Sequence, residues 1–391
     1  MKQKALKLAT WSLLRGMRVL GPGKMFKVVE RLKTADPVFA ELVASSACTP
    51  GALIPLSVDD DLAPRLDEIP SEATPRERRA LYRFFADSWP GRGSVVEIGP
   101  FLGSTSRAIA LGMRDNPRRG PDSRLYTYDR FSHYYSRDAL VKFLSPLVAS
   151  RTLGEEDLGS IDDAGTFLGV FNRIHKECDY GDLIVPVDRG LPNLPEKAGE
   201  ASHWFALPAG VDFDAFFVDG CKAWYATKYF MRECCRAAEP CSFFIFQDYL
   251  QYTCFWIPSF IEKFCNDFSL AWYVDQTYAF RLQKPLKPHE IDDAFPDAPD
   301  VLGRDGFIDL FRRIIEGAVA RNDYEAKVKH TAQLAAALAY IDEKPEARKI
   351  FANLLQEPAT GNFQGLLQQA QISPTYRPNG EGWEQILLNE D

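Results

Sequence analysis

Val95-Val96-Glu97-Ile98-Gly99-Pro100-Phe101-Leu102-Gly103-Ser104-Thr105-Ser106 is the stretch on which the fold turns. The β-branched run Val95–Ile98 has the pattern of a buried strand. Gly99 and Gly103 let the backbone turn sharply and let a ligand come close. Ser104 or Thr105 then starts a helix, and Ser and Thr are favoured at helix starts. The free amides of such a start suit a carboxylate or a phosphate. The spacing is ExGxxxG, not the GxGxxG of dinucleotide enzymes and not a phosphate-binding loop ending in GK[ST]. A purely structural turn between strand and helix would carry the same glycines.

Outward from this stretch, short β-rich runs alternate with helical ones. Strands are predicted at Ser94–Ile98, Leu125–Tyr128, Leu183–Val187, Ala215–Val218 and Phe243–Phe246, and Ala271–Val274 with Ala279–Leu282 reads as a terminal hairpin. Helices are predicted near residues 105–113, 223–238 and 258–268. This is the signature of βαβ units around a mainly parallel sheet. Pro186 lacks an amide donor, so the third strand should lie at a sheet edge. Residues 131–181 read as a long helical insertion between the second and third strands.

Acids recur just past the strands, where α/β folds place their ligands. Asp129, in Tyr126-Thr127-Tyr128-Asp129-Arg130-Phe131, is placed to accept both ribose hydroxyls of an adenosyl group. Asp188 could reach an adenine amino group, although Asp188-Arg189-Gly190 is also an ordinary turn. Asp219 ends the apolar run Ala215–Val218, and Lys222 follows within one turn. A lysine near a bound sulfonium can have a lowered pKa and act as a general base, while a surface lysine at a helix start would look the same. Trp224 and Tyr225 suit either a pocket wall or the core. Asp248 closes Phe243-Phe244-Ile245-Phe246-Gln247-Asp248-Tyr249. On adjacent strands, Asp219 and Asp248 could share a divalent cation or bond a substrate hydroxyl, or could simply close turns.

Taken in order, EIGPFLGSTS, YTYDRF, FDAFFVDGCKAWY and FFIFQDY resemble the class I S-adenosylmethionine-dependent methyltransferases. The likeness is nearest to the small-molecule O-methyltransferases related to catechol O-methyltransferase and to the bacterial sugar and antibiotic methyltransferases. It covers about residues 90–285. It implies a Rossmann-like, doubly wound, mainly parallel seven-stranded sheet. It also implies that Glu97, Gly99, Phe101, Gly103 and Ser104 hold the methionine part of S-adenosylmethionine and Asp129 the ribose. Asp219 and Asp248 match positions that hold Mg²⁺ in the metal-dependent members, and Lys222 matches their base. Tyr249 stands where those enzymes have Asn, and Gln247 where many relatives have His. The activity implied is methylation of a hydroxyl on a small molecule or sugar.

The flanks fall outside this resemblance. Residues 1–75 and 286–391 read as helical regions on either side of a methyltransferase-type domain over 76–285. Within 286–391, residues 331–358 loosely follow a tetratricopeptide pattern, for which a plain helical hairpin is the alternative. These flanks support a competing reading, a non-catalytic binding or assembly protein. A nicotinamide oxidoreductase is disfavoured by the missing GxGxxG.

Of 391 residues, 46% are hydrophobic and 26% charged, as expected of packed globular structure. A net charge of −8 argues against nucleic acid as the main partner. Eight cysteines without CxxC spacing, and with only five histidines, argue against structural zinc and for free thiols in a reducing, cytoplasmic setting. Cys234, Cys235 and Cys241 are expected to be buried. No run of apolar residues is long enough to span a bilayer. Residues 1–35 carry nine basic residues, from Lys2 to Lys33, against the single acid Glu30, with Trp11 and several leucines between them. Such a segment suits either peripheral contact with an anionic membrane or docking on the acidic body of the protein or on a second subunit.

Overall fold

In the computed structural model, residues 54, 56–59, 61–199, 203–379 and 382–389 are described. The sequence expectations for residues 1–35, including membrane contact, lie outside them. Among the described residues no helix is long and apolar enough to cross a membrane.

The glycine-turn strand, Ser94–Ile98 (β1), is buried at every residue. Its neighbours are Leu125–Asp129 (β2), Ile184–Asp188 (β3), Phe213–Val218 (β4), Ala238–Phe246 (β5), Phe268–Val274 (β6) and Thr277–Leu282 (β7). They form one seven-stranded sheet in the order β3-β2-β1-β4-β5-β7-β6. The first five run parallel, and β7 runs antiparallel to both β5 and β6. β3, which contains Pro186, is an edge strand, so the missing amide donor breaks no central ladder.

Alternation along the strands feeds two cores. Val95, Leu125, Ala215, Phe217 and Ile245 pack against helices Pro75–Arg83 (α2) and Ser104–Asp115 (α3). A shorter helix, Leu62–Asp67 (α1), precedes them. Thr74 and Glu77 cap α2 reciprocally, with Pro75 at its first position. Val96, Ile98, Phe216, Val218, Phe244 and Phe246 face the other core. There they meet helices Trp224–Ala237 (α7) and Trp256–Lys263 (α8). The insertion after β2 holds Arg137–Ala149 (α4), Glu155–Gly159 (α5) and Leu168–His175 (α6), with a core of its own around Phe131, Leu144 and Phe167. Beyond the sheet come Pro288–Ala294 (α9), Gly303–Ala320 (α10), Tyr324–Tyr340 (α11), Lys344–Gln356 (α12) and Gln364–Ile372 (α13). α10 and α11 form an antiparallel helical hairpin that shares the sheet's second core.

Two expectations are corrected and one open alternative is decided. The chain does not stay helical to its end: Thr375–Asn379 (β8) and Gly382–Ile386 (β9) pair as an antiparallel hairpin. Trp224 belongs to the core, where it stacks on Phe295 at 4.1 Å and donates to Pro296 O. Cys234 and Cys235 are buried, but Cys241 is exposed. No disulfide forms among the described cysteines.

Candidate active site at the carboxyl edge of the sheet

Register sets the site. Ile98 pairs with Tyr128 and with Val218, and Val218 pairs with Phe246. Four parallel strands therefore end level, and the loops carrying Gly99, Asp129, Asp219 and Asp248 leave from one edge. The chain winds outward from β1 to β3 on one side and through β4 and β5 on the other. This switch point is where doubly wound sheets open a crevice. A cavity of about 460 Å³ lies there, lined by Gly99, Phe101, Ser104, Thr105, Asp129, Arg189, Asp219 and Lys222, among others.

Gly99 has φ +79°, and a Cβ on it would stand 3.0 Å from Gly220 N and 3.1 Å from Asp219 C. The β1 and β4 loops thus meet backbone to backbone, which only glycine allows. Phe101 also has a positive φ, 50°, uncommon for a bulky residue. Its ring is wedged edge-on against Tyr134, Phe143 and Phe167 of the insertion. Ser104 is buried at the start of α3 and its Oγ has no hydrogen-bond partner in the protein. An unpaired buried hydroxyl costs about 1–3 kcal/mol, so this one calls for a polar ligand.

Glu97 and Gly103 do not line the cavity. Glu97 is fully buried and accepts from Thr105 Oγ1 at 2.6 Å and Ser106 Oγ at 2.5 Å, tying β1 to α3. Burial pushes its carboxyl up to about 7, against the two hydroxyl donors. Gly103, at φ +82°, makes room for His175: a Cβ would fall 2.1 Å from its Nε2. That imidazole bonds Leu102 O at 3.0 Å and faces Tyr180 Oη at 3.2 Å, and burial lowers it to about 3. Thr105, the next residue after Ser104, does line the cavity.

Asp129 ends β2 with its carboxylate at the cavity. Burial raises it to about 6, against backbone amides that stabilise the charge; one of these, Phe131 N, donates to Oδ1 at 2.9 Å. Asp188 pairs with Asp129 in the sheet but is exposed and outside the lining. Arg189, Leu191 and Asn193 of the same loop line the cavity instead.

Asp219 and Asp248 do converge, through Lys222. Its Nζ lies 3.1 Å from Asp219 Oδ1 and also donates to Asp248 Oδ2. With its nitrogen turned toward the acids, the Gln247 amide donates to Asp248 Oδ1 at 2.7 Å and Asp219 Oδ1 at 3.0 Å. The expectation of a lysine with a lowered pKa is overturned. Burial works against the ammonium, but Asp248 and Asp219 outweigh it and hold Lys222 well above its ordinary value. Burial raises Asp219 well out of the usual carboxylate range; Lys222 opposes this and Asp248 adds to it. The arrangement does not fit a bound divalent ion, because an ammonium already sits between the two carboxylates. Among the described residues no three metal-ligating side chains converge.

Several lining residues escaped the sequence reading. Glu72 accepts from Tyr134 Oη at 2.8 Å and from Tyr135 Oη. Trp383, on β9, reaches the cavity from the far end of the chain. The tyrosines sit just past the YTYDRF stretch and could have been weighed with it. Trp383 had a local signal in Asn379-Gly380, a hairpin dipeptide between two β-rich runs.

The residues present suit an adenosyl donor with a methionine tail. Asp129 offers a carboxylate to two hydroxyls, the Gly99 turn admits close approach, and the orphaned Ser104 hydroxyl sits where a carboxylate tail would meet the α3 amides.

No family model matches the chain, and no curated protein matches it. Solved class I O-methyltransferases do. The chain is 15% identical to the O-methyltransferase NovP, covering 56% of this chain and 80% of that one, with a TM-score of 0.35. It is 12% identical to the O-methyltransferase from Bacillus cereus in complex with SAH, over 62% and 96% of the chains, with a TM-score of 0.30. It is 15% identical to CalS11, a TDP-rhamnose 3'-O-methyltransferase of calicheamicin biosynthesis, over 65% and 91%, with a TM-score of 0.29. Likeness at this level says nothing of activity or substrate.

Proposed function

We propose that the protein transfers a methyl group from S-adenosylmethionine to a hydroxyl of a small molecule or sugar. One observation carries the reading: Asp129, the unpartnered Ser104 and Asp219 open into the same cavity at one edge of the sheet. Bound there, S-adenosylmethionine supplies an electrophilic methyl group on a sulfonium. Asp129 holds the ribose, and Ser104 with the first α3 amides holds the carboxylate tail. Asp219 takes the acceptor's proton as its oxygen attacks. A carboxylate with a raised pKa is a better base than a free one, and matching the base to the working pH favours proton transfer. Lys222 keeps its proton and holds Asp219 and Asp248 in place. Most of the remaining work is positioning, since an in-line displacement gains chiefly from alignment.

Side-by-side thermal melts with S-adenosylmethionine, S-adenosylhomocysteine and NAD test the reading. Ligand at a hundredfold over its Kd adds about 2.7 kcal/mol. The first two should raise Tm by several degrees and NAD should not. Stabilisation by NAD alone would replace this reading with an oxidoreductase.

A further inference from the structure

The C-terminal hairpin is built into the site. Lys222 follows Cys221, and the Cys221 carbonyl accepts from Trp256 Nε1 at 2.8 Å. Trp256 is fully buried and packs edge-on against Tyr376 of β8, with ring centroids 5.9 Å apart. Tyr376 packs edge-on against Trp383 of β9 at 5.0 Å. Thr375 Oγ1 adds a bond to Thr253 O at 3.1 Å. A chain of three rings therefore fixes Trp383 relative to the loop that carries Asp219 and Lys222. Despite that anchoring, Trp383 keeps 45% of its surface exposed while lining the cavity. An indole held in place with a bare face is a stacking platform.

Size and chemistry say what stacks there. A cavity of 460 Å³ is within the range that holds one drug-sized ligand, about 300–1,000 Å³. The methyl donor is itself of that size, so an acceptor must reach it from solvent, and Trp383 both lines the cavity and is open to solvent. The carboxyl groups of Glu72 and Asp219 line this cavity together with the donors Arg130, Arg189 and Lys222. Hydroxyls, which both donate and accept, suit such a mixed lining. A ring that offers C–H bonds to an indole face and hydroxyls to carboxylates is a pyranose. We infer that Trp383 is the acceptor platform and that the acceptor is a pyranoside whose ring lies on it. This inference rests on the methyltransferase reading only for what happens to the bound sugar.

Saturation-transfer NMR on the full-length protein tests it, with methyl α-glucopyranoside and methyl α-mannopyranoside as probes and catechol as the planar comparator, each with and without S-adenosylhomocysteine. At least one glycoside should receive saturation at its ring C–H protons. Trp383→Ala should lose at least four-fifths of that signal, Trp383→Phe should keep most of it, and S-adenosylhomocysteine affinity should stay within about twofold in both, since neither substitution alters the donor contacts assigned to Asp129 and Ser104. Glycoside signals that survive Trp383→Ala, or saturation of catechol alone, would overturn the platform. Failure of S-adenosylhomocysteine to bind would instead overturn the methyl-donor reading and leave the glycoside result to stand by itself.

Discussion

The Lys222 ammonium stands 3.1 Å from the Asp219 carboxylate, so the lysine retains its proton and the aspartate becomes the base. Lys222→Met should then do more than slow the reaction. Without the cation, burial and Asp248 act on Asp219 unopposed, and its pKa rises further. The acid limb of kcat/KM should move to higher pH, and Lys222→Arg should bring it back most of the way. An acid limb that stays in place in Lys222→Met would remove Asp219 as the titrating base.

The same ammonium fills the position a metal would take between Asp219 and Asp248. Activity should therefore survive EDTA, and added Mg²⁺ should leave kcat within about twofold. Loss with EDTA and recovery with Mg²⁺ would show that Lys222 gives way to an ion that the two acids bind.

Glu97 imposes a pH dependence on stability. Below its ordinary pKa of 4.5 the carboxyl is protonated in folded and unfolded chains alike. Between 4.5 and about 7 the unfolded chain releases the proton while the folded one keeps it, so stability falls as pH rises, by on the order of 3 kcal/mol in all. Glu97→Gln removes this slope. In urea unfolding the variant should gain on wild type from about pH 4 to about pH 8. A difference independent of pH would mean that Glu97 is ionised at no cost.

Gln333 ties α11 to the loop that follows Asp248. Its Nε2 donates to Tyr249 O at 2.9 Å and to Gln251 O at 2.8 Å. Gln333→Leu takes this donor from Tyr249 O, while Gln251 O still accepts from Cys254 N at 3.0 Å, and should cost about 1–3 kcal/mol in urea unfolding. It should lower kcat while S-adenosylhomocysteine binds as before. Unchanged kcat would confine Gln333 to a purely structural role.

What was legible in the sequence follows from how each feature is encoded. The strands, the edge position of β3 and the acids at the strand ends are local: an apolar run, a proline without a donor, an aspartate after the last valine. Convergence is not local. The parallel register brings Asp219 and Asp248 together, and nothing in the sequence distance between them shows that Lys222 would bridge them. Gly103 and Glu97 fit the pattern of ligand contacts, yet each answers to a partner fixed only by packing, His175 in one case and α3 in the other. Trp383 was out of reach for the same reason. Its hairpin signal is local, but its place at the cavity depends on Trp256, more than a hundred residues earlier in the chain.

The central claim is that this cavity holds an adenosyl methyl donor through Asp129 and Ser104. Calorimetric titration of S-adenosylhomocysteine into the wild-type protein, Asp129→Ala and Ser104→Ala tests it most directly. Wild type should bind one equivalent. Asp129→Ala should lose about 1–3 kcal/mol, roughly 5- to 150-fold in Kd, and Ser104→Ala about 1 kcal/mol. No heat with wild type, or equal affinity in all three proteins, would contradict the account.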